Sequence, residues 1–212
     1  MKTSTIIEFT GMPNSGKTTL IRRLSEELPK KHGLTVQVQR EDAEIVPPEI
    51  PKKTWDRNVW ITFGQLQSIV QAHHSNSDIV LLDRGLFDAV FWAEFMFSQT
   101  IATYEQSNGM QNILMQMFQN LQFHPDYLFL IDVSVAESLR RHALVENGSV
   151  YSKPDFLNSY RNKFFRFFKD YIEGNEEYQI IPMPSFYLNT TYMNSDEVFK
   201  NVEEQILKIC SR

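Results

Sequence analysis

The stretch that most constrains this chain is short: positions 11–18 read GMPNSGKT, which satisfies G-x-x-x-x-G-K-[ST]. It follows an apolar run, Thr5 to Thr10, and opens a helical pattern, Lys17 to His32. Glycines at 11 and 16 allow backbone angles and close approaches that a side chain blocks. Successive amides of such a loop form a nest for a phosphate, and the helix behind it aims its positive N-terminus at the same anion. Lys17 is expected to reach the β- and γ-phosphates, and the Thr18 hydroxyl to hold Mg²⁺. The cradle is then Gly11, Met12, Pro13, Asn14, Ser15, Gly16, Lys17 and Thr18, with ATP and Mg²⁺ as the expected occupants.

The rest of the chain repeats the strand–helix alternation that this loop demands. Strands are expected at Thr5 to Thr10, Leu34 to Gln39, Asp78 to Asp83, Asp126 to Asp132 and Tyr178 to Met183. Helices are expected at Lys17 to His32, Trp55 to His74, Ala136 to Val145, Pro154 to Ile172 and Ser195 to Ile209. A long helical stretch from Leu86 to Gln122 is expected to divide at Gly109, because glycine inside a helix costs roughly 1 kcal/mol against alanine. The runs IVLLD and YLFLID are almost wholly apolar, as strands covered on both faces are. The expectation is a three-layer α/β fold, a five-stranded and mostly parallel sheet between helices, in one domain over 1–212. Such sheets bind ligands beyond the carboxyl ends of their strands. The proline-rich piece Val46 to Pro51 reads as a loop at that end, and Pro184 to Thr190 reads as another.

Composition excludes some functions. A formal charge of −5 and a pI near 5.6 argue against a dedicated binder of nucleic-acid polymers or anionic membranes. No segment has the length and apolarity of a membrane span, Met1 to Thr5 leads into no secretory signal, and the one cysteine, Cys210, has no partner in the chain. The expected location is the cytoplasm. His73, His74 and His142 have no partners at zinc spacing.

Asp83 ends the third expected strand, where a second acidic group reaches Mg²⁺ or its waters. Arg84 follows it, where many hydrolytic motors carry glutamate, and an arginine there suits a phosphate or a reacting hydroxyl. With these residues the chain resembles the P-loop kinases of the thymidylate kinase and deoxynucleoside kinase branch. GMPNSGKT, the RED at 40–42, LLDRG and LIDVSVAESLRR at 130–141 carry the resemblance. It implies a P-loop NTPase fold with a lid, here about 143–153. It implies an acid after the second strand, which is Glu41 with Asp42 beside it, and the choice between them stays open. It implies that Arg141 is a lid arginine and that the segment from Trp55 to Gln65 lines the acceptor pocket. Arg57, Trp60, Phe63 and Gln65 are the substrate candidates there, together with Arg40 and Asp42. Phe87, Phe91 and Trp92 fall either near that pocket or in the core. The loop ending in Thr190 lies where the branch holds the adenine, and Arg161 is a further candidate to reach the phosphates.

The expected function is phosphoryl transfer from ATP to a small acceptor, a nucleoside or nucleoside monophosphate. Lys17, Glu41, Asp83, Arg84 and Arg141 would be the catalytic groups. The acids Glu41, Asp42, Glu44 and Glu49 stand against Arg40, Arg57 and Arg84, which tilts the expectation towards a neutral hydroxyl. A nucleotide-hydrolysing switch and a phosphotransferase for another alcohol are the alternatives. The apolar run FDAVFWAEFMF is compatible with a homodimer.

Overall fold

The computed structural model describes residues 4–143, 153–172 and 183–211. Five strands form one sheet: β1 Thr5–Gly11, β2 Val36–Gln39, β3 Ile79–Asp83, β4 Tyr127–Asp132 and β5 Ser185–Asn189. The helices between them are α1 Lys17–His32, α2 Trp55–His73, α3 Leu86–Ser98, α4 Tyr104–Gln119, α5 Val135–Ala143, α6 Pro154–Ile172 and α7 Ser195–Cys210. The strand order is β2-β3-β1-β4-β5, and every pairing is parallel. The carboxyl ends of all strands therefore share one edge, where Gly11, Gln39, Asp83, Asp132 and Asn189 end their runs.

Alternation along the strands divides the core in two. Ile6, Val80, Leu82, Leu128 and Leu130 face a layer built from α2, α3, α4 and α6. Ile7, Phe9, Ile79, Leu81, Phe129 and Ile131 face α1 and α7. Side chains alternate across a strand, so a run such as IVLLD feeds both layers at once. The first layer is heavily aromatic. Phe91 meets Tyr160, Phe164 and Phe167 of α6 at ring separations of 5.0, 4.8 and 5.4 Å. Phe87 and Phe91 are therefore core residues.

Two expected elements differ. The break in the long helical stretch falls at 99–103 and leaves Gly109 inside α4, where nothing crowds it. Thr103 starts α4 with a capping box, its hydroxyl accepting from the Gln106 amide while the Gln106 side chain accepts from the Thr103 amide. That local bonding outweighs the propensity cost of one exposed glycine. The fifth strand lies at Ser185–Asn189, in the segment read as a loop, whereas the expected strand from 178 falls almost wholly outside the described residues. Phe186 anchors β5 by stacking on Phe129 at 4.8 Å. As an edge strand β5 tolerates the flanking Pro184, whose carbonyl accepts from the Leu128 amide.

Candidate active site

β1 ends in the glycine that starts the phosphate loop. Gly11 has φ 124°, and a Cβ there would lie 2.2 Å from the Ile131 carbonyl oxygen of β4. Only glycine lets β1 turn while pressed against its neighbour. Gly16, at φ 93°, caps α1. Lys17 is buried and folds back into the loop, donating to the carbonyls of Met12 at 2.7 Å and Gly11 at 3.3 Å and to Ser15 Oγ at 3.3 Å. Burial, with the Arg84 charge behind it, lowers the ammonium to about 8. α5 braces the loop from outside: Ser138 Oγ, wholly buried, donates to the Pro13 carbonyl at 2.9 Å and accepts from Asn14 Nδ2 at 3.3 Å.

Thr18 and Asp83 meet. Thr18 Oγ1 donates to Asp83 Oδ2 at 2.5 Å, and Asp83 Oδ1 is buried with no hydrogen-bond partner. A buried carboxylate oxygen left unpaired next to a hydroxyl and a phosphate nest fits a divalent cation.

Beside this pair lies a cleft of about 280 Å³ lined by Thr18, Arg22, Val38, Arg40, Glu41 and Asp83 among others. Glu41 Oε1 faces Arg84 Nε at 2.9 Å, so the acid after β2 and the arginine after β3 form an ion pair at the sheet edge. Arg84 itself has φ 64° and a side chain only 8% exposed. Asp42 turns the other way. Its carboxylate is buried against α2, so close to Gly64 that a Cβ there would come within 2.4 Å of it. Burial, and secondarily the Glu41 charge, pushes Asp42 up to about 6. The geometry thus separates the two acids: Glu41 faces the cleft and Asp42 anchors its loop. Arg57 joins the anchor, donating from Nη2 to the Ala43 carbonyl at 3.0 Å.

On α2, Gln65 is buried, but Phe63 lies 53% exposed on the far side and is not brought to the site. Trp60, half-buried, shares the face of Arg57 and Gly64 by helical spacing. The sequence reading missed Asn58 and Thr62. With Gln65 they form a buried stripe at i, i+4 and i+7, and Asn58 Nδ2, Thr62 Oγ1 and Gln65 Oε1 have no hydrogen-bond partner. Their spacing continues into Ile69 and Ala72, so the signal was a polar half on an otherwise apolar helix face.

The lid side differs from expectation. Residues 144–152 of the expected lid lie outside the described residues. Arg141 does not project over the loop; it ties the outside of the loop to the β5–α7 turn. Nη1 donates to the Ser15 carbonyl at 3.0 Å, and Nη2 donates to the Thr190 carbonyl at 2.8 Å. Thr190 is wholly buried, and its hydroxyl donates to the Asp132 carbonyl at 2.9 Å. Arg161 is drawn away from the phosphates by Asp132, a buried carboxylate that it meets at 2.8 Å and that also accepts from the Tyr187 hydroxyl at 2.9 Å. Moving Arg161 away would leave a wholly buried carboxylate without its cation, which costs about 3–5 kcal/mol.

A family model described as "AAA domain" matches residues 6–152, from β1 through the Thr18–Asp83 pair and on past α5. The chain belongs to the AAA domain family. As a member of that family it is also similar to a probable thymidylate kinase of Sulfurisphaera tokodaii, 27% identical over 171 residues covering 78% of this chain and 83% of that protein. In fold it matches a deoxyadenosine kinase from M. mycoides with bound dATP, at TM-score 0.67, with 15% identity over 95% of this chain and 98% of the other. The same kinase with dCTP bound matches at TM-score 0.64, with 14% identity over 96% and 100%. The sheet and its helix layers are those of this P-loop kinase fold, and within the AAA domain family the chain resembles nucleoside and nucleotide kinases. No helix among the described residues is long and apolar enough to cross a membrane.

Proposed function

We propose that this chain is an ATP- and Mg²⁺-dependent kinase whose acceptor is the neutral hydroxyl of a nucleoside. The observation that carries the reading is the convergence of Glu41, Thr18 and Asp83 on one cleft, with Arg84 paired to Glu41 at 2.9 Å. In the transfer, the acceptor hydroxyl oxygen bonds to the γ-phosphorus while the bond from that phosphorus to the β–γ bridging oxygen breaks. ADP leaves with the bond's electron pair, and the hydroxyl proton passes to the Glu41 carboxylate. Lys17 turns out of the loop to meet the β- and γ-phosphates, and Arg84 faces the charge that spreads over the transferring group. Thr18 and Asp83 would hold Mg²⁺, which would supply positive charge to the phosphates of the donor.

The buried stripe on α2 supports a heterocyclic acceptor. Each unpaired buried polar group costs about 1–3 kcal/mol, and a flat ligand with donors and acceptors along its edge would relieve Asn58, Thr62 and Gln65 together. Engagement of Arg57 by Ala43 and of Arg84 by Glu41 supports a nucleoside over a monophosphate. One observation favours the second: Arg22 and Arg40, exposed on the cleft wall, suit an acceptor phosphate. Donor and acceptor alike are cytoplasmic metabolites, so the reading implies the cytoplasm.

An ATP-consumption screen over nucleosides, nucleoside monophosphates and amino alcohols tests this. Turnover that depends on a nucleoside is expected. Turnover of a monophosphate with its parent nucleoside inert would move the acceptor assignment. Steady hydrolysis indifferent to every acceptor would replace the kinase with a nucleotide-hydrolysing switch.

A further inference from the structure

Asp88 stands one helical turn beyond Arg84, and its carboxylate is wholly buried. Arg84 Nη1 donates to both of its oxygens, at 2.8 and 2.9 Å. Thr10 Oγ1, also buried, donates to Oδ1 at 2.6 Å. Behind Asp88 sits a second buried acid, Glu8 of β1. The amides of Asp88 and Phe87 donate to its two oxygens, at 3.0 and 3.3 Å. Glu8 thereby serves as the cap of α3, a carboxyl group lent by another strand to amides that the helix leaves unpaired. A Cβ at Gly85 would lie 2.6 Å from Glu8 Oε2, so a side chain there would displace the Glu8 carboxyl group. The first turn of α3 is fixed in this way to β1, the strand that carries the phosphate loop.

The arrangement gives Arg84 two anionic neighbours with different surroundings. Glu41 lies at the cleft, on a loop. Asp88 lies in the core, on a helix bolted to the sheet. A guanidinium held only by Glu41 would follow that loop, whereas one held from behind keeps its place while the loop and acceptor settle against it. We propose that Asp88 is a positioning residue for the phosphoryl transfer: it clamps the Arg84 guanidinium from behind, so that Nε stays presented to Glu41 and the reacting group. Asp88 touches neither substrate. This rests on the kinase reading above, and it adds to that reading a residue outside every motif of the sequence.

The test is a double-mutant cycle of Asp88→Asn and Arg84→Ala, with ATP and the nucleoside turned over fastest in the screen. Asparagine keeps the shape and one acceptor but loses the charge that grips Arg84. Asp88→Asn is expected to lower kcat by about 10²-fold, the scale of a misplaced catalytic group, with KM for ATP unchanged. In the Arg84→Ala background the same change is expected to cost nothing further, because there is no guanidinium left to hold. Equal losses in the two backgrounds would overturn the inference and leave Asp88 a purely structural acid. Should Asp88→Asn fail to fold, Thr10→Val decides by the same comparison, since it removes one bond from Asp88 and keeps the carboxylate. A wild-type chain that phosphorylates no acceptor at all would overturn the kinase reading and this inference with it. Turnover by the wild type with equal losses overturns the inference alone.

Discussion

Lys17 has its bonds inside the loop that carries it. It holds two loop carbonyls and a hydroxyl, so it is part of the packing of the loop. Lys17→Ala should abolish most transfer while circular dichroism shows the helices intact; a folded variant with normal turnover would detach this loop from the reaction. Asp83→Asn should weaken Mg²⁺-dependent turnover far more than metal-free nucleotide binding, since the amide keeps the shape and loses the charge. Equal losses would make Asp83 a cap. Between the neighbouring acids, Glu41→Gln should cost about 10²–10⁴-fold in kcat, the usual worth of a positioned base. Asp42→Asn should cost much less, because that carboxylate faces α2. Arg141 carries a correction to the reading of the lid. It grips the Ser15 and Thr190 carbonyls, so Arg141→Ala should raise KM for ATP more than it lowers kcat. The reverse split would mean that it leaves those carbonyls for the transition state.

Among the elements, α4 offers a clean measurement. Thr103→Ala removes the hydroxyl half of its capping box and should cost about 1 kcal/mol, seen as a fall in Tm of about 2–4 °C in a domain of this size. An unchanged Tm would mean the cap is met by solvent. The same cap explains what the sequence made legible. β1, α1, β3 and β4 were readable because a motif or an unbroken apolar run marks each of them. The α3–α4 boundary was missed because Thr103-x-x-Gln106 is a quiet signal beside a visible glycine. β5 was missed because an edge strand with Ser185, Tyr187 and Asn189 facing partly outward lacks an apolar run. In the candidate site, Gly11 to Thr18, Asp83 and Arg84 were legible from local spacing, and the resemblance of the RED at 40–42 pointed to Glu41 or Asp42. Glu8 was not, since it acts on amides that the chain brings from afar; Asn58, Thr62 and Asp88 were not, since a polar residue on a mostly apolar helix face is a weak signal.

At the scale of the whole molecule, three buried ionisable groups give stability a shape along the pH axis. Glu8 is pushed up from 4.5 to about 8, first by burial, and Asp42 from 3.8 to about 6. A raised acid binds its proton more tightly in the folded chain, so its contribution is complete below the unfolded value and is lost as pH rises through the folded one. Lys17 is lowered from 10.5 to about 8, and the unfolded chain then binds the extra proton, so stability recovers between those values. The nucleotide-free protein should therefore be least stable near pH 8, and chemical denaturation from pH 5 to 10 measures it. Glu8→Gln should flatten most of the falling branch; a slope unchanged in that variant would assign it elsewhere. The strand order has a consequence of another kind, for synthesis. β1 is made first yet sits at the centre, paired with β3 through Thr5↔Ile79 and with β4 through Ile7↔Tyr127. A chain emerging from the ribosome carries its phosphate loop for over a hundred residues before β4 arrives to seat Gly11 against Ile131. Through that interval one edge of the central strand is open, and Phe9 and Ile7 lack their β4 neighbours. The nascent protein is thus most exposed to holdase chaperones, and most prone to mispairing, just before its own nucleotide site can form.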